Sequence, residues 1–375
     1  MNGFYLYRPI DFSHLSGVDK KVLGQLSALN SAGLNCELVS LPMSSNADRL
    51  YEIVHMITRR LPFSNMDPRW SYSQQYLSAD FFFIRKPAYI SSPMRKVLKE
   101  IKSRNPRAKI VMEIPTYPYD SEFRRNIKEY PFLLKDRHNR LRLHGLVDKI
   151  ALIGNETLAK LFGIDVVSFN NGIDLAENPI REPIQDTTID LCAVALFAKW
   201  HGYDRLLNGL LDYYKNGGKR DIKIHLVGEG PELAHYKDIA VHDLLKDRIL
   251  FYGHLTGDAL NDVYNHADLG VTSLGNHRVG LHFSSDLKSR DYLAKGLPLI
   301  TGCPIDVLDK EQFNYFIEFP NDNSLISFDK VCDFYDRTYR KGIPPSQVAF
   351  NIREYAAKTV DIHVTMQPVI EYFTG

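Results

Sequence analysis

The stretch from Ser284 to Ile300, SSDLKSRDYLAKGLPLI, has the residue types of an anion-binding helix start. Asp286 can cap a helix that begins near Leu287, which leaves backbone amides and the positive end of the helix dipole available. Lys288 and Arg290 place two cations in the first turn, where the dipole alone favours acidic residues. A bound anion would offset that cost, so we predict that this helix start holds a pyrophosphate. The alternative is a surface helix with solvated charges.

A second candidate for phosphate chemistry is the turn AKWHG at 198–202. A buried strand is predicted to end near Phe197, and an amphipathic helix follows the turn. Lys199 and His201 would then lie at the carboxyl edge of a strand, where a cation can neutralise a departing diphosphate. A solvated loop lysine and a histidine that caps or packs against the helix are the alternatives for these two residues.

Two loops carry glycines where a strand leads into a helix. Gly228-Glu229-Gly230 precedes a proline, and glycine allows the backbone to approach a ligand closely. In the first loop, Gly17-Val18 opens a helix whose amides could hold an anion. Each loop is equally compatible with an ordinary strand-to-helix connection, so neither identifies a ligand alone.

The strands and helices that position these loops follow an α/β pattern. At 375 residues the chain is too long for one ordinary core. Short apolar strands alternate with helical patterns, which predicts parallel βαβ units with helices on both faces of each sheet. We predict strands at Phe4–Tyr7, Cys36–Ser40, Phe81–Arg85, Lys109–Glu113, Lys149–Leu152, Val166–Phe169, Ile189–Leu196, Ile222–Val227, Ile249–Tyr252, Leu269–Thr272 and Leu299–Thr301. Helices are predicted at 18–31, 48–60, 92–104, 121–143, 155–162, 203–215, 231–245, 257–266 and 286–295, and from about 325 onwards.

The expected architecture is two doubly wound, Rossmann-like domains that face an interdomain cleft, followed by C-terminal helices. The first domain is predicted at 1–170. A linker is predicted at 171–188, which contains Asn-Asn-Gly and prolines and has no periodicity. The second domain is predicted at 189–350. The helix at 351–375 is expected to pack back on the first domain.

Charge is distributed unevenly along the chain. Residues 1–170 contain 25 Lys and Arg against 16 Asp and Glu, a net charge of +9, and the remainder contains 21 against 29, a net charge of −8. Two basic segments, at 95–109 and 135–144, are either solvated helix faces or a surface for anionic lipid or a phosphate-bearing acceptor. Aromatic residues are not interleaved with them, which argues against nucleic acid. We therefore expect peripheral contact with the inner membrane through the first domain.

Composition also indicates the compartment. No segment approaches the roughly 20 apolar residues of a membrane span, and the start MNGFYLYRPIDF does not resemble a signal peptide. The four cysteines form no CxxC pair, which favours reduced thiols in a cytoplasmic protein. The 13 histidines show no close ligand spacing, so no metal site is expected.

Taken in order, these motifs resemble the group-1 glycosyltransferases, which form family 4 of the retaining GT-B enzymes. The resemblance is strongest from about 170 to 302 and looks closest to bacterial surface-polysaccharide transferases. It rests on Gly17-Val18, Asn171-Gly172-Ile173-Asp174, KWHGYDRLL at 199–207, VGEGPEL at 227–233, YGHLTGDALNDVYNHADLGVTSLG at 252–275 and LKSRDYLAKGLPLITG at 287–302.

The resemblance implies an enzyme that transfers a sugar, with retained anomeric configuration, from a UDP-sugar or GDP-sugar. The acceptor would be a glycan or a polyprenyl-linked glycan, and fixed cations would replace a metal cofactor. Lys199 would neutralise the leaving group, and the amides of Asp286–Lys288 would bind its diphosphate. Asp291 takes the place of the family's second glutamate, which binds the donor ribose.

The resemblance also implies roles for residues outside that helix. Glu229 and the loop around Gly253 and His254 would lie near the nucleotide base. In the basic domain, Glu113 or Tyr117 would contact the transferred sugar or the acceptor.

Three departures from the family pattern concern recognition of the donor sugar. The strand AVALF lacks the usual arginine, and His201 stands where the family usually has a lysine. The family's first glutamate would fall on Phe283, and Asn276, His277 or Arg278 could replace it. A sugar-nucleotide epimerase of the same fold and a non-catalytic nucleotide-sugar-binding protein are therefore the alternatives. No GxGxxG follows the first strand, which disfavours a dinucleotide-dependent oxidoreductase.

Overall fold

The computed structural model describes residues 1–13, 15–40, 61, 78–120, 123, 127–154, 158–184, 187–339 and 342–375. These residues form two compact units. The first combines Met1–Asn170 with Thr365–Gly375, and the second contains Asn171–Val364. The helix predicted at 48–60 lies outside the described residues.

The first unit is built on a seven-stranded sheet with the order β2-β1-β3-β4-β5-β7-β6. All neighbours pair in parallel except β6, which is antiparallel to β7. Its central strands are buried on both faces, as a sheet covered on both sides requires. The strands are β1 (Asn2–Tyr7), β2 (Asn35–Ser40), β3 (Phe81–Arg85), β4 (Lys109–Ile114), β5 (Lys149–Ile153), β6 (Lys160–Leu161) and β7 (Ile164–Phe169).

The helices of the first unit begin with well-formed caps. Helix α1 (Gly17–Ser31) follows a capping box in which Ser16 and Asp19 bond each other's backbone amides. Helix α2 (Ser92–Arg104) is capped by Ser91, and α3 (Tyr130–Arg140) follows a short 3₁₀ turn at Ile127–Glu129. Of the helix predicted over 121–143, the described residues from 127 onwards form this 3₁₀ turn and α3.

The predicted helix at 155–162 is wrong over its described part, because the chain forms a hairpin there. Leu161 pairs with Ile164 across a tight turn. Phe162 and Gly163 occupy the turn with φ of 54° and 78°, as a two-residue turn between antiparallel strands requires. Phe162 is partly buried and packs on the core of the first unit, and this contact helps to offset its strained backbone.

The second unit has a six-stranded, all-parallel sheet with the order β10-β9-β8-β11-β12-β13. The strand order reverses direction between β8 and β11, and ligands of such sheets bind beside the carboxyl ends of the two strands at that switch point. The strands are β8 (Ile189–Val194), β9 (Ile222–Val227), β10 (Ile249–Gly253), β11 (Leu269–Val271), β12 (Leu299–Thr301) and β13 (Phe316–Glu318). The edge strand β13 was not predicted.

Helices of the second unit bury one face each against this sheet. Helix α7 contributes Tyr292 and Leu293 to a core that it shares with α9. The predicted helix at 231–245 ends earlier, at Ala240. The helices are α4 (Tyr203–Lys215), α5 (Leu233–Ala240), α6 (Gly257–His266), α7 (Leu287–Lys295), α8 (Phe328–Thr338), α9 (Pro345–Thr359) and the short α10 (Ile362–Thr365).

The described part of the segment predicted as a linker packs along the second unit. Arg181 is buried and donates to the carbonyl of Ala267 at 2.8 Å. Arg353 of α9 donates to the carbonyls of Leu175 and Asn178. The second unit thus begins at Asn171 rather than after a free connection.

The chain ends with α11 (Gln367–Thr374), which belongs to the first unit. Phe373 is buried against Phe81 of β3, with ring centroids 4.6 Å apart. Lys109 donates to the carbonyls of Tyr372 and Phe373 at 3.0 Å, where a cation also suits the negative end of the helix dipole.

None of the helices in the described ranges has the length and apolarity that a membrane crossing requires. No group of three or more histidine, cysteine or acidic side chains there has the arrangement of a metal site.

Candidate functional site

The loops that follow β8 and β11 are locked together at the switch point of the second sheet. Leu274 donates its amide to the carbonyl of His201 at 2.8 Å, and Gly275 donates to Trp200 at 3.1 Å. Gly202 has φ of 63°, and a Cβ there would lie 2.6 Å from the nitrogen of Gly275. This close contact requires glycine, and it fixes the 3₁₀ turn Lys199–His201 at the carboxyl edge of the sheet.

Helix α7 begins at this edge as the sequence predicted, with Asp286 as its cap. The Asp286 carboxylate accepts from the amide of Ser289 at 2.7 Å and from the hydroxyl of Ser284 at 2.9 Å. The amides of Leu287 and Lys288 are the first two of the helix and have no carbonyl partner within it. Residues 284–288 are partly exposed. The helix start can therefore accept an anion on two amides.

Lys288 extends from this helix start towards β11. Its Nζ donates to the Ser273 hydroxyl at 3.1 Å and lies 5.8 Å from the ring centre of Tyr203. Among the described residues, no carboxylate forms an ion pair with it. Burial lowers the pKa of Lys288 to about 8, and the nearby Asp286 carboxylate offsets only part of this effect. A partly buried cation that no described carboxylate pairs with therefore lies on the same helix start as the two free amides.

His201 is a structural member of the turn. Its Nδ1 accepts from the amide of Ala198 at 3.1 Å, and its ring stacks on Tyr203. Burial and the charge of Lys288 lower the pKa of His201 to about 3, so the imidazole is neutral near pH 7. The histidine therefore caps its own turn, one of the alternatives for this residue.

Lys199 is exposed on the same turn, and its backbone carbonyl accepts from Arg278 at 3.2 Å. Arg278 itself makes a two-pronged ion pair with Asp204 at 2.7 and 2.8 Å. Burial raises the pKa of Asp204, but the Arg278 guanidinium outweighs it, so the pKa of that carboxyl is lowered. Of the two basic residues, Lys199 thus presents its charge to solvent at the site, whereas Arg278 braces the loop after β11 against α4.

Arg290 has different neighbours from those expected of a diphosphate ligand. It is fully buried, and its guanidinium contacts both carboxylate oxygens of Asp306. It also donates to the Asn171 carbonyl at 3.0 Å and the Ser285 hydroxyl at 3.1 Å. Because Asp306 neutralises its charge, Arg290 supports the loop before α7 rather than presenting a cation at the open helix start.

Asp291 lies on the second turn of α7 and accepts a hydrogen bond from the Tyr264 hydroxyl. Tyr264 is buried, and its hydroxyl holds the carboxylate in one orientation. The structure places Asp291 on the same short helix as Lys288. Its predicted contact with the donor ribose stays a prediction.

The loop after β9 approaches the loop after β8 very closely. A Cβ on Gly228 would lie 1.9 Å from the carbonyl oxygen of Ala195, and one on Gly230 would lie 2.4 Å from that of Phe197. Glu229 between them is exposed, and its Oε1 would be 3.6 Å from a Cβ on Gly253. The glycines therefore allow the two loops to pack closely. Glu229 lies next to Gly253, and His254, the residue after Gly253, is exposed.

In the first unit, Gly17 and Val18 are the first two residues of α1 and their amides have no carbonyl partner within the helix. Gly17 is exposed. The capping box of Ser16 and Asp19 occupies the next amide, and Asp19 also pairs with Arg8 at 2.7 Å. An anion could reach these two amides, beside an acidic cap.

Glu113, expected to contact the transferred sugar or the acceptor, is instead fully buried. Its carboxylate pairs with Lys21 at 2.6 Å and with Arg85 at 2.7 Å, and the Tyr5 hydroxyl lies 3.4 Å away. Burial raises the pKa of Glu113, but the two cations outweigh it and bring the pKa to about 2. Tyr117, the other residue expected there, packs against Tyr119 and Phe162.

Comparison with known proteins gives structural relatives alone. No known protein family and no curated protein sequence matches this chain. Among solved structures, a glycosyltransferase from Rickettsia africae has a TM-score of 0.59 at 13% identity, with 100% of this chain and 97% of that one covered. Trehalose-6-phosphate synthase OtsA has a TM-score of 0.57 at 13% identity, with coverage of 100% and 99%.

Anabaena HepE, solved in complex with UDP-glucose, has a TM-score of 0.58 at 10% identity, with 100% of this chain and 99% of that one covered. The chain has the GT-B fold. Its two Rossmann-like units and their full-length match agree with the fold class that the sequence predicted.

Several residues of the site were not singled out from the sequence. Ser273 follows β11 at the switch point, and a polar residue directly after a buried strand is a signal that could have found it. Asp306, the ion-pair partner of Arg290, comes from a separate segment. No local spacing links them, because the loop after β12 brings Asp306 to α7 only in the folded unit.

Proposed function

We propose that the GT-B chain is a retaining glycosyltransferase whose second unit holds a nucleoside diphosphate sugar. The observation that carries the proposal is Lys288, a partly buried cation that no described carboxylate pairs with, on the helix start that carries the free amides of Leu287 and Lys288. Burying such a charge is costly unless an anion accompanies it in function. A diphosphate supplies that anion and suits two amides and an ammonium group.

The nucleoside diphosphate part of the donor would occupy the switch-point edge of the second sheet. Its diphosphate would contact the start of α7, with the exposed Lys199 on the adjacent turn. The relative HepE was solved with UDP-glucose, which supports testing uridine donors first. Asp291, Glu229, Gly253 and His254 would meet the ribose and base, and a GDP-sugar remains the second donor to test.

The reaction follows from the charge that develops on the departing diphosphate. The bond between sugar C1 and the phosphate oxygen breaks with its electron pair on that oxygen. Lys288, Lys199 and the two amides stabilise the new charge before and during departure. The acceptor hydroxyl attacks C1 from the same face and gives its proton to the departing phosphate oxygen, so the anomeric configuration is retained. The proposed acceptor is a surface glycan or polyprenyl-linked glycan on the cytoplasmic side of a membrane.

A ligand screen tests the donor class first. Thermal unfolding would be followed with UDP, GDP and their sugar conjugates, because a ligand at about 100 times its Kd adds roughly 2.7 kcal/mol of stability. Products formed with the stabilising donor, with and without glycan acceptors, would be analysed by mass spectrometry and anomeric NMR. An inverted product, or conversion of the donor alone into an epimer, would contradict retaining transfer.

Lys288→Met tests the observation that carries the proposal. Removing one fixed donor to a developing oxyanion lowers kcat about 10²- to 10³-fold, so we expect that loss here. Lys246→Met is the matched control, because Lys246 is exposed in the same unit and far along the chain from the switch-point loops. Wild-type turnover in Lys288→Met with a confirmed donor would exclude the proposed phosphate site.

A further inference from the structure

The connection between β11 and α7 exposes a run of apolar side chains. Val279 is 40% exposed, Leu281 is 49% exposed and Phe283 is 46% exposed. Residues 279–283, called the apolar loop below, are all exposed, and His282 is their one polar side chain. Apolar groups that are exposed together beside a candidate site are typical of a surface that meets a ligand or a partner.

The backbone of the apolar loop is held from inside the second unit. The side chain of Asn321 accepts from the amide of His277 at 3.0 Å and donates to the carbonyl of Leu281 at 2.8 Å. Directly after the loop, the amide of Ser284 donates to the carbonyl of Pro304 at 2.9 Å. The loop therefore presents its exposed side chains on a fixed backbone.

The polar residues just before the apolar loop are engaged within the second unit. Asn276 is buried, and its side-chain amide donates to the Cys303 sulfur at 2.9 Å. His277 Nε2 lies 2.9 Å from the side-chain oxygen of Asn323, and Arg278 makes the ion pair described above. No Asp or Glu stands between β11 and the cap of α7. The three side chains that could have met sugar hydroxyls thus have other partners, and no carboxylate of the connection replaces them.

The order of the strands gives the direction of a bound donor. The loops with Glu229 and Gly253 follow β9 and β10 on one side of β8, whereas the apolar loop follows β11 on the other side. A donor whose diphosphate binds at the start of α7 would direct its base to the first side and its sugar to the second. Phe283 is three residues before Asp286, at most about 11 Å of extended chain, so the sugar would lie against the apolar loop.

We propose that the donor sugar carries a methyl-bearing substituent that packs on the apolar loop, as in an acetamido sugar or a 6-deoxy sugar. A fully hydroxylated hexose would place hydroxyl groups against Leu281 and Phe283 without hydrogen-bond partners, which weakens binding. A methyl group at the same place gains from leaving water. The inference rests on the proposed function and names the class of sugar that the same site takes.

Matched donors with the same nucleotide test this preference in the full chain. Kd would be measured by calorimetry for UDP-glucose, UDP-N-acetylglucosamine and UDP-6-deoxyglucose, and for GDP-mannose and GDP-6-deoxymannose. A methyl-bearing donor should bind at least about tenfold more tightly than its hydroxylated counterpart, the usual discrimination for a methyl-sized group in an apolar site. The acetamido and 6-deoxy donors distinguish the two sources of the methyl group, and free UDP and GDP report on the phosphate site alone.

Leu281→Ser with Phe283→Ser should abolish the preference and leave the Kd of the free nucleotide unchanged. Val241→Ser is the matched control, because Val241 is an exposed apolar residue directly after α5, at the end of that helix remote from the loop after β9. All three positions are exposed, so the core stays intact, and thermal unfolding without ligand checks that the variants are folded.

Three results would overturn the inference while nucleotide binding still supports the phosphate site. One is equal or tighter binding of the hydroxylated donors. Another is a double variant that keeps the preference for a methyl-bearing donor. The third is a double variant that weakens free nucleotide and donor equally, since the loop would then act on the phosphate site. If neither nucleotides nor donors bind the wild-type chain, the proposed function fails, and this inference fails with it.

Discussion

At the scale of single residues, the partly buried Lys288 and the fully buried Glu113 have opposite electrostatic surroundings. Glu113 has two cations within 2.7 Å, whereas Lys288 has a serine hydroxyl and helix amides. A charged group that is removed from water destabilises the folded state unless an opposite charge or a bound ligand offsets its charge. Removing the charge should therefore destabilise the protein at a structural ion cluster and stabilise it at a ligand site.

Lys288→Met should stabilise the folded protein near pH 7. The folded pKa of Lys288, about 8, lies below its ordinary value of 10.5, so protonated Lys288 destabilises the fold below pH 8. The variant should gain up to about 3 kcal/mol at pH 7, and its advantage should shrink as the pH rises from 8 towards 10.5. Hydrogen exchange of peptides from α7 at pH 7 and 9.5 measures this, with Lys246→Met as control. A destabilised variant at pH 7 would argue against an uncompensated charge.

Glu113→Gln should have the opposite effect on the first unit. It leaves Lys21 and Arg85 buried without their carboxylate, which costs about 3–5 kcal/mol for a broken buried pair. The folded pKa of Glu113 is below its ordinary value of 4.5, so its contribution is present above pH 4.5 and lost as the pH falls towards 2. The destabilisation should therefore diminish between pH 4.5 and 2.

Hydrogen exchange of β4 peptides reports on that unit alone. Glu37→Gln is the control, because Glu37 is exposed on β2. If Glu113→Gln retained wild-type protection at pH 7 and lost acceptor turnover only, the carboxylate would have the substrate contact that the sequence suggested.

Single residues of the site were predictable where local sequence decides their position. Asp286 and Lys288 follow from the capping pattern and the basic first turn of one helix. Arg290 occupies the same helix, yet its role depends on Asp306, which the loop after β12 supplies. Sequence spacing identifies which charges are near a helix start, but the partner that neutralises one of them is set by tertiary contacts.

At the scale of elements, strong periodicity gave reliable bounds. The predictions of β3, β9 and β12 and of α2, α4 and α6 agree with the structure to the residue. The edge strand β13 has three residues and was missed, and the hairpin at β6 was predicted as helix because its apolar spacing resembles one turn. In that hairpin the positive φ of Phe162 and Gly163 decides the conformation, and Phe-Gly is not a common signal for such a turn.

The glycine between two switch-point loops offers a test of element placement. Gly202→Ala must fit a Cβ 2.6 Å from the nitrogen of Gly275 in addition to a positive φ. Gly217→Ala is the control, since Gly217 has φ of 87° with no atom within 4 Å of its Cβ position. The control should lose about 1–2 kcal/mol from the backbone alone.

Gly202→Ala should lose more stability than the control and should also weaken donor binding, because the turn that carries Lys199 must move. Urea unfolding and donor titration by thermal shift measure the two effects. Equal losses in the two variants, with unchanged donor affinity, would mean that the close approach of these loops is not needed.

At the scale of the whole molecule, the chain leaves the first unit at Asn170 and returns to it at Thr365. Alternating strands and helices predicted two domains, because each half contains enough apolar strands for its own sheet. The return of the terminal helix depends on side chains more than 250 positions apart, such as Lys109 and Tyr372. The apolar periodicity of a helix predicts which of its faces is buried, but it does not predict which sheet that face packs against.

Phe373→Ala should destabilise the first unit selectively. Phe373 is fully buried against Phe81, and removal of a buried phenylalanine ring costs about 3–5 kcal/mol. Phe350→Ala is the control, since Phe350 is 52% exposed on α9 of the second unit. Hydrogen exchange should show faster opening of β3 and β4 in Phe373→Ala, with unchanged protection of β8 and β9. Equal loss of protection in both sheets would mean that the two units unfold as one cooperative body, whereas selective loss means that the C-terminal helix is an integral part of the first unit.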